Sequence, residues 1–102
     1  MEISEGAYDK LFDINVKAVF FMIKECKDML LKSKQMGGVA NVLVISSLVS
    51  KHPPFPLGVY GMTKAVLNNM VYVLSKELQP EGVRVNGLAP GLVKTKFADP
   101  LF

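Results

Sequence analysis

The chain has 102 residues, half of them hydrophobic, with 12 basic against 9 acidic side chains and a formal net charge of +3. That length holds one small domain, and that apolar content excludes a chain disordered by composition. The lysines at 10, 17, 24, 27, 32 and 34 are spread at helical intervals and form no block, which argues against a nucleic-acid surface.

One cysteine, Cys26, and one histidine, His52, allow neither an internal disulfide nor a Cys/His metal cluster, so no metal is expected. No apolar run approaches the ~20 residues that span a bilayer. Met1 is followed by acidic Glu2 and Glu5 rather than a basic stretch, so no secretory leader is expected. The C-terminal Asp99-Pro100-Leu101-Phe102 carries no recognisable address, and an intracellular site (cytoplasm, peroxisome or mitochondrion) is the expectation.

Over residues 7–33, Leu11, Ile14, Ala18, Phe21, Met22, Cys26 and Met29 recur every three or four positions, which predicts a long helix. Ser4 or Glu5 begins it and Gly37-Gly38 stops it. Asn15 is a weak helix former in its interior, so a break or bulge is expected there. Phe12, Val16, Val19 and Phe20 add apolar residues around the circumference, which implies two buried faces, one on a sheet and one on a partner.

Residues 39–46 read as a largely apolar run rich in β-branched residues, as in a parallel strand covered on both faces. Residues 47–58 read as a loop with Pro53, Pro54 and Pro56. A second helix is expected over 59–78, with Ala65, Asn69, Val73 and Lys76 on one side and Val66, Met70 and Leu74 on the next. Pro80 and Gly82 stop it; a strand over 83–89 follows and ends at Pro90-Gly91. Met62, Met70 and Phe55 read as packing residues, Cys26 as core or interface, and His52 as an exposed loop residue.

This order predicts an α/β fold, part of a doubly wound, Rossmann-type parallel sheet, with a right-handed strand–helix–strand crossover. Ligands of open α/β sheets bind beyond the carboxyl ends of the strands. Ser47 and Pro90-Gly91 follow the two strands, and Tyr60 opens the crossover helix, so all three are expected at one edge.

Tyr60 and Lys64 are four residues apart, about 6 Å along a helix axis and on one face. A phenol with an ordinary pKa near ~10 is too weak a base at neutral pH, and a nearby ammonium favours its ionised form. That pair suits acid–base chemistry, and the Ser47 hydroxyl, 13 residues before Tyr60, suits a carbonyl oxygen that gains charge as hydride arrives. Alone, a Tyr–Lys pair at this spacing is also what an exposed helix face presents. Ser46, next to Ser47 on the strand, should point the other way. Thr95 alone would suit a helix N-cap.

Ile45-Ser46-Ser47, Tyr60-Gly61-Met62-Thr63-Lys64 and Asn86-Gly87-Leu88-Ala89-Pro90-Gly91-Leu92-Val93-Lys94-Thr95 resemble successive blocks of the short-chain dehydrogenase/reductase family, and Asp13-Ile14-Asn15-Val16 resembles its helix block. The stretch from Leu88 to Thr95 is similar to that of the NADP-dependent retinol dehydrogenase/carbonyl reductase group. The resemblance implies NADP as cofactor, with NAD as the alternative, and a carbonyl or alcohol substrate. It implies Tyr60 as the general acid of reduction and base of oxidation, with Lys64 assisting it and binding the nicotinamide ribose. Ser47 would orient the carbonyl, and Asn15 would hold a water that passes protons to Lys64. Pro90, Gly91, Val93 and Thr95 would contact the nicotinamide end. A homo-oligomer through the two long helices is also implied.

The family's glycine-rich phosphate turn is missing: Gly37-Gly38 lacks a third glycine and follows a helix rather than a strand. Residues 1–102 therefore read as the catalytic C-terminal part of one Rossmann-like domain without its nucleotide-binding half. Such a chain is expected to lack dehydrogenase activity alone. The competing expectation is a non-catalytic module that binds a full-length enzyme through its helices.

Overall fold

The computed structural model describes residues 1–92, 95 and 96. Helix α1 (Glu5–Phe12), a π turn (Asp13–Lys17) and helix α2 (Ala18–Gln35) form one long rod. Strand β1 (Asn41–Ile45), a 3-10 turn (Leu48–Ser50), helix α3 (Gly58–Leu78), a second 3-10 turn (Gln79–Glu81) and strand β2 (Arg84–Leu88) follow. The helix–strand–helix–strand order is the expected one.

The Ser4 hydroxyl caps α1 by accepting from the amide of Ala7 at 3.1 Å, so the helix begins at Glu5, where the sequence places its start. The bulge expected at Asn15 is the π turn, centred on that residue. At the far end Gly37 adopts φ +83°, and the amide of Gly38 bonds back to the Ser33 carbonyl at 2.8 Å. A Cβ is poorly tolerated at that φ, which is why the stop is a glycine.

β1 and β2 pair in parallel, Val42 opposite Val85 and Val44 opposite Gly87, with α3 as the crossover. Val44 of β1 with its flanking Ala40 and Ser46, and Val85 of β2 with its flanking Val83, turn inward under the helices. Ile23 of α2 and Leu67, Met70, Leu74 and Leu78 of α3 complete the core. Gly87 faces α3 at close range: a Cβ there would meet Val71 Cγ2 at 3.2 Å.

Several expectations need correction. The strand run does not have two covered faces: Leu43, Ile45 and Leu88 point away from the helices and are about half exposed, and Val39 lies outside β1, 76 % exposed. An unbroken apolar run carries no period-2 signal, so it cannot say which face is covered. The buried stripe of α3 is Leu67, Met70, Leu74 and Leu78; of the line Val66, Met70 and Leu74 read along one side, Val66 is exposed, one residue off the contact line. Of the long rod, only Ile23 is buried, with Val16, Val19, Leu30 and Leu31 packed beside it; the face expected to lie on a partner is exposed in the single chain. Met62 and Phe55 are exposed and do not pack, whereas Met70 does. Cys26 is half-buried with a free thiol, and His52 is exposed in its loop.

Candidate active site at the carboxyl edge of the sheet

The carboxyl ends of both strands meet the first turns of α3. The amide of Ser46 donates to the Leu88 carbonyl at 2.7 Å, and the amide of Leu48 donates to the Pro90 carbonyl at 3.0 Å. Those two bonds continue the parallel ladder past β1 and place Ser47 beside Pro90.

Ser47 is extended, with φ −159° and ψ 152°, and starts the 3-10 turn; its Oγ accepts from the amide of Val49 at 3.2 Å. A hydroxyl that accepts in this way keeps its own proton to donate. Its neighbour Ser46 points the other way, as the alternation of a strand requires, and its buried hydroxyl donates to the Lys64 carbonyl at 3.0 Å. Ser46 is therefore a fastener between β1 and α3.

Tyr60 lies half-buried in the first turn of α3, and Lys64 one turn later. The Lys64 ammonium lies over the Tyr60 ring, 5.5 Å from its centroid, and donates to the Ile45 carbonyl at 3.3 Å. The side chain thus spans from the helix to the end of β1 and holds its charge beside the phenol. Burial desolvates the ammonium and holds the Lys64 pKa below the usual lysine value. Among the described residues none hydrogen-bonds the Tyr60 hydroxyl.

The π turn aims Asn15 at α3. Its amide Nδ2 donates to Thr63 Oγ1 at 3.1 Å, and that hydroxyl donates to the Tyr60 carbonyl at 2.6 Å. Thr63 is fully buried. Sequence reasoning missed it, although a signal was present: Thr63 heads the stripe that continues as Leu67, Met70, Leu74 and Leu78, a polar residue on an apolar line.

The loop between Ser47 and Tyr60 is pressed onto α3 at two points. A Cβ on Gly61 would meet Pro53 Cβ at 2.5 Å and the Val49 carbonyl oxygen at 2.8 Å, so only glycine permits this approach. Eight positions after Tyr60, Asn68 Nδ2 donates to Ser50 Oγ at 2.8 Å. Neither residue was singled out from sequence, because the need for them arises only from the loop's path.

Pro90 is half-buried, and Gly91 is exposed with open space where a Cβ would be. Thr95 is exposed at a bend, and Val93 lies outside the described residues. The donor set fits one end of a nicotinamide dinucleotide. Lys64 uses one of its three N–H donors on Ile45, leaving two for vicinal ribose hydroxyls. The described residues contain no glycine-rich turn from a strand into a helix N-terminus, the element that would hold the pyrophosphate. They also contain no group of three His, Cys, Asp or Glu side chains suited to a metal ion, and no helix long and apolar enough to cross a membrane.

The whole chain, residues 1–102, matches the family model described as short chain dehydrogenase. It is 39 % identical over 101 residues to a tropinone reductase-like 3 of Erythroxylum coca, covering 99 % of this chain and 36 % of the relative. It is 38 % identical over 102 residues to the dehydrogenase/reductase SDR family member 4 of Caenorhabditis elegans, covering all of this chain and 38 % of the relative. A solved candidate 2-deoxy-D-gluconate 3-dehydrogenase from Agrobacterium tumefaciens, with bound NADP, superimposes with a TM-score of 0.86 at 30 % identity, covering 98 % of this chain and 39 % of that one. The chain thus spans well under half the length of the proteins it resembles, and its fold is a fragment of their Rossmann-type α/β fold.

Proposed function

The chain belongs to the short-chain dehydrogenase family of NAD(P)-linked oxidoreductases, and from that premise we propose that it is the catalytic C-terminal part of an enzyme that transfers hydride between NADP and a carbonyl or alcohol. The observation that carries this reading is the Lys64 ammonium, 5.5 Å over the Tyr60 ring and anchored to the end of β1.

When bound, the nicotinamide supplies the hydride for the carbonyl carbon. Ser47 donates its proton in a hydrogen bond to the carbonyl oxygen and holds the charge that grows there. As the C=O π bond breaks, Tyr60 gives its phenolic proton to that oxygen, and an alcohol and a phenolate result. The Lys64 ammonium, close to the ring, stabilises the phenolate. Asn15 holds the water from which the proton is restored. In oxidation the same groups act in reverse, with Tyr60 as base. Pro90, Gly91, Val93 and Thr95 bear on the nicotinamide, and Lys64 on its ribose.

The substrate proposed is a lipophilic ketone or aldehyde such as retinal, in keeping with the retinol dehydrogenase/carbonyl reductase group. Phe55, 96 % exposed on the Pro-rich loop that leads into Tyr60, supports an apolar entrance. NADP is the first choice of cofactor and NAD the alternative, and an intracellular compartment is proposed for the enzyme. The test is oxidation of NADPH and of NADH by the complete enzyme against a panel of lipophilic and polar carbonyls. Retinal or an aromatic ketone is expected to be consumed faster with NADPH. A preference for polar sugars would overturn the substrate class, and no consumption of either nucleotide would overturn the reaction.

A second reading concerns the 102-residue chain alone. Phe21, Met22 and Met29 on the rod and Met62, Tyr72 and Val73 on α3 are about half exposed or more. Those faces support docking on a full-length subunit without catalysis. Capture of the chain by the intact enzyme, with no gain of activity, is the expected result; failure of the intact enzyme to retain it removes this reading.

A further inference from the structure

Thr63 stands between the two residues that carry the chemistry, and nothing in its type marks it out. Yet its hydroxyl has both hydrogen-bonding directions engaged. It accepts from Asn15 Nδ2 at 3.1 Å and donates to the Tyr60 carbonyl at 2.6 Å, and it is fully buried. The two partners belong to different elements: Asn15 is 48 positions away, in the π turn of the rod.

We propose that Thr63 is a positioning residue, which fixes the Asn15 side chain against the first turn of α3 and so sets Asn15 relative to the Tyr60–Lys64 pair. This rests on the oxidoreductase reading given above. Three observations carry it. A π turn offsets the helix by one residue, and here that offset points Asn15 toward α3. A buried hydroxyl has no water to turn to, so its orientation is set by its two protein partners. The carbonyl that it holds belongs to the proposed acid–base residue itself. A valine in its place would keep the shape while leaving the Asn15 amide without an acceptor and removing the donor to Tyr60 O.

The experiment uses the complete enzyme and reads turnover together with the Asn15 side-chain amide by NMR. In the unsubstituted protein that amide is expected to exchange with solvent more slowly than a free asparagine amide. Thr63→Val is expected to lower kcat tenfold or more with KM changed less than twofold, and to release the amide to free exchange. Thr63→Ser is expected to restore both to within twofold. On an Asn15→Ala background, Thr63→Val should cost less than a further twofold, because the two residues act as one unit. Thr63→Ala is measured beside Thr63→Val in case the valine does not fold. Free exchange of the Asn15 amide in the unsubstituted protein would overturn the proposal without any variant. So would full kcat in a folded Thr63→Val enzyme, no rescue by serine, or losses that multiply in the double variant. The NMR result stands apart from the reaction: no consumption of NADPH or NADH by the unsubstituted enzyme would sink the oxidoreductase reading and leave the amide measurement unaffected.

Discussion

At the scale of single residues, Lys64 is the group of the site whose titration is shifted by burial. Its ammonium is desolvated, and its folded pKa lies below the usual 10.5. Between that depressed value and 10.5 the unfolded chain binds more protons than the folded one, so the lysine's contribution to stability rises with pH across the window. Lys64→Met removes the partly desolvated charge. Denaturant unfolding at several pH values is expected to show the methionine variant gaining on the native lysine at neutral pH, with the gap closing as pH approaches 10.5. A gap that widens with pH would contradict the desolvation argument. Tyr60, Lys64 and Ser47 were legible in sequence because spacing on a helix and position at a strand end convert directly into geometry. Ser46 was legible too, since alternation along a strand leaves it one direction. Thr63 was marked only as a polar residue at the head of an apolar line, and its role was not legible, because its partner Asn15 is joined to it only by the tertiary packing of the rod on α3.

At the scale of elements, the break in the long helix was readable from one poor helix former, and the glycine stop from a Gly-Gly pair. The covered face of β1 was not readable, because residues 42–45 are all apolar and show no alternation. The Ser47–Tyr60 connection was visible only as a proline-rich loop; its seat on α3 depends on Gly61 and the Asn68–Ser50 bond. Gly61→Ala drives a methyl into Pro53 and the Val49 carbonyl. It is expected to cost about 1–3 kcal/mol in denaturant unfolding, as overpacking does, and to lower turnover of the complete enzyme by moving Ser47 away from Tyr60. Unchanged stability in Gly61→Ala would show that the loop is held elsewhere. Ser4→Ala, in contrast, removes an exposed cap and is expected to cost about 1 kcal/mol with turnover unchanged; a large loss of turnover would tie α1 to the site in a way the packing does not suggest.

At the scale of the whole molecule, one side of the sheet is packed and the other is bare. Leu43, Ile45 and Leu88 form an apolar outer face on the two strands, and the rod and α3 carry further exposed Phe, Met and Tyr side chains. Exposed apolar surface of this kind marks a place where more protein belongs, which agrees with a chain covering 36–38 % of its relatives. The 102-residue chain alone is expected to self-associate at micromolar concentration by sedimentation and to show no NADPH oxidation. A soluble monomer that oxidises NADPH would refute the division of labour proposed between this segment and a nucleotide-binding half. The acid–base role proposed for Tyr60 carries all the rest, and replacing its phenol tests it most directly. In the complete enzyme, Tyr60→Phe is expected to lower kcat by at least ~10²-fold while leaving oligomeric state and unfolding midpoint unchanged. Turnover within a few-fold of the unsubstituted enzyme, in a folded and correctly assembled Tyr60→Phe protein, would contradict the account.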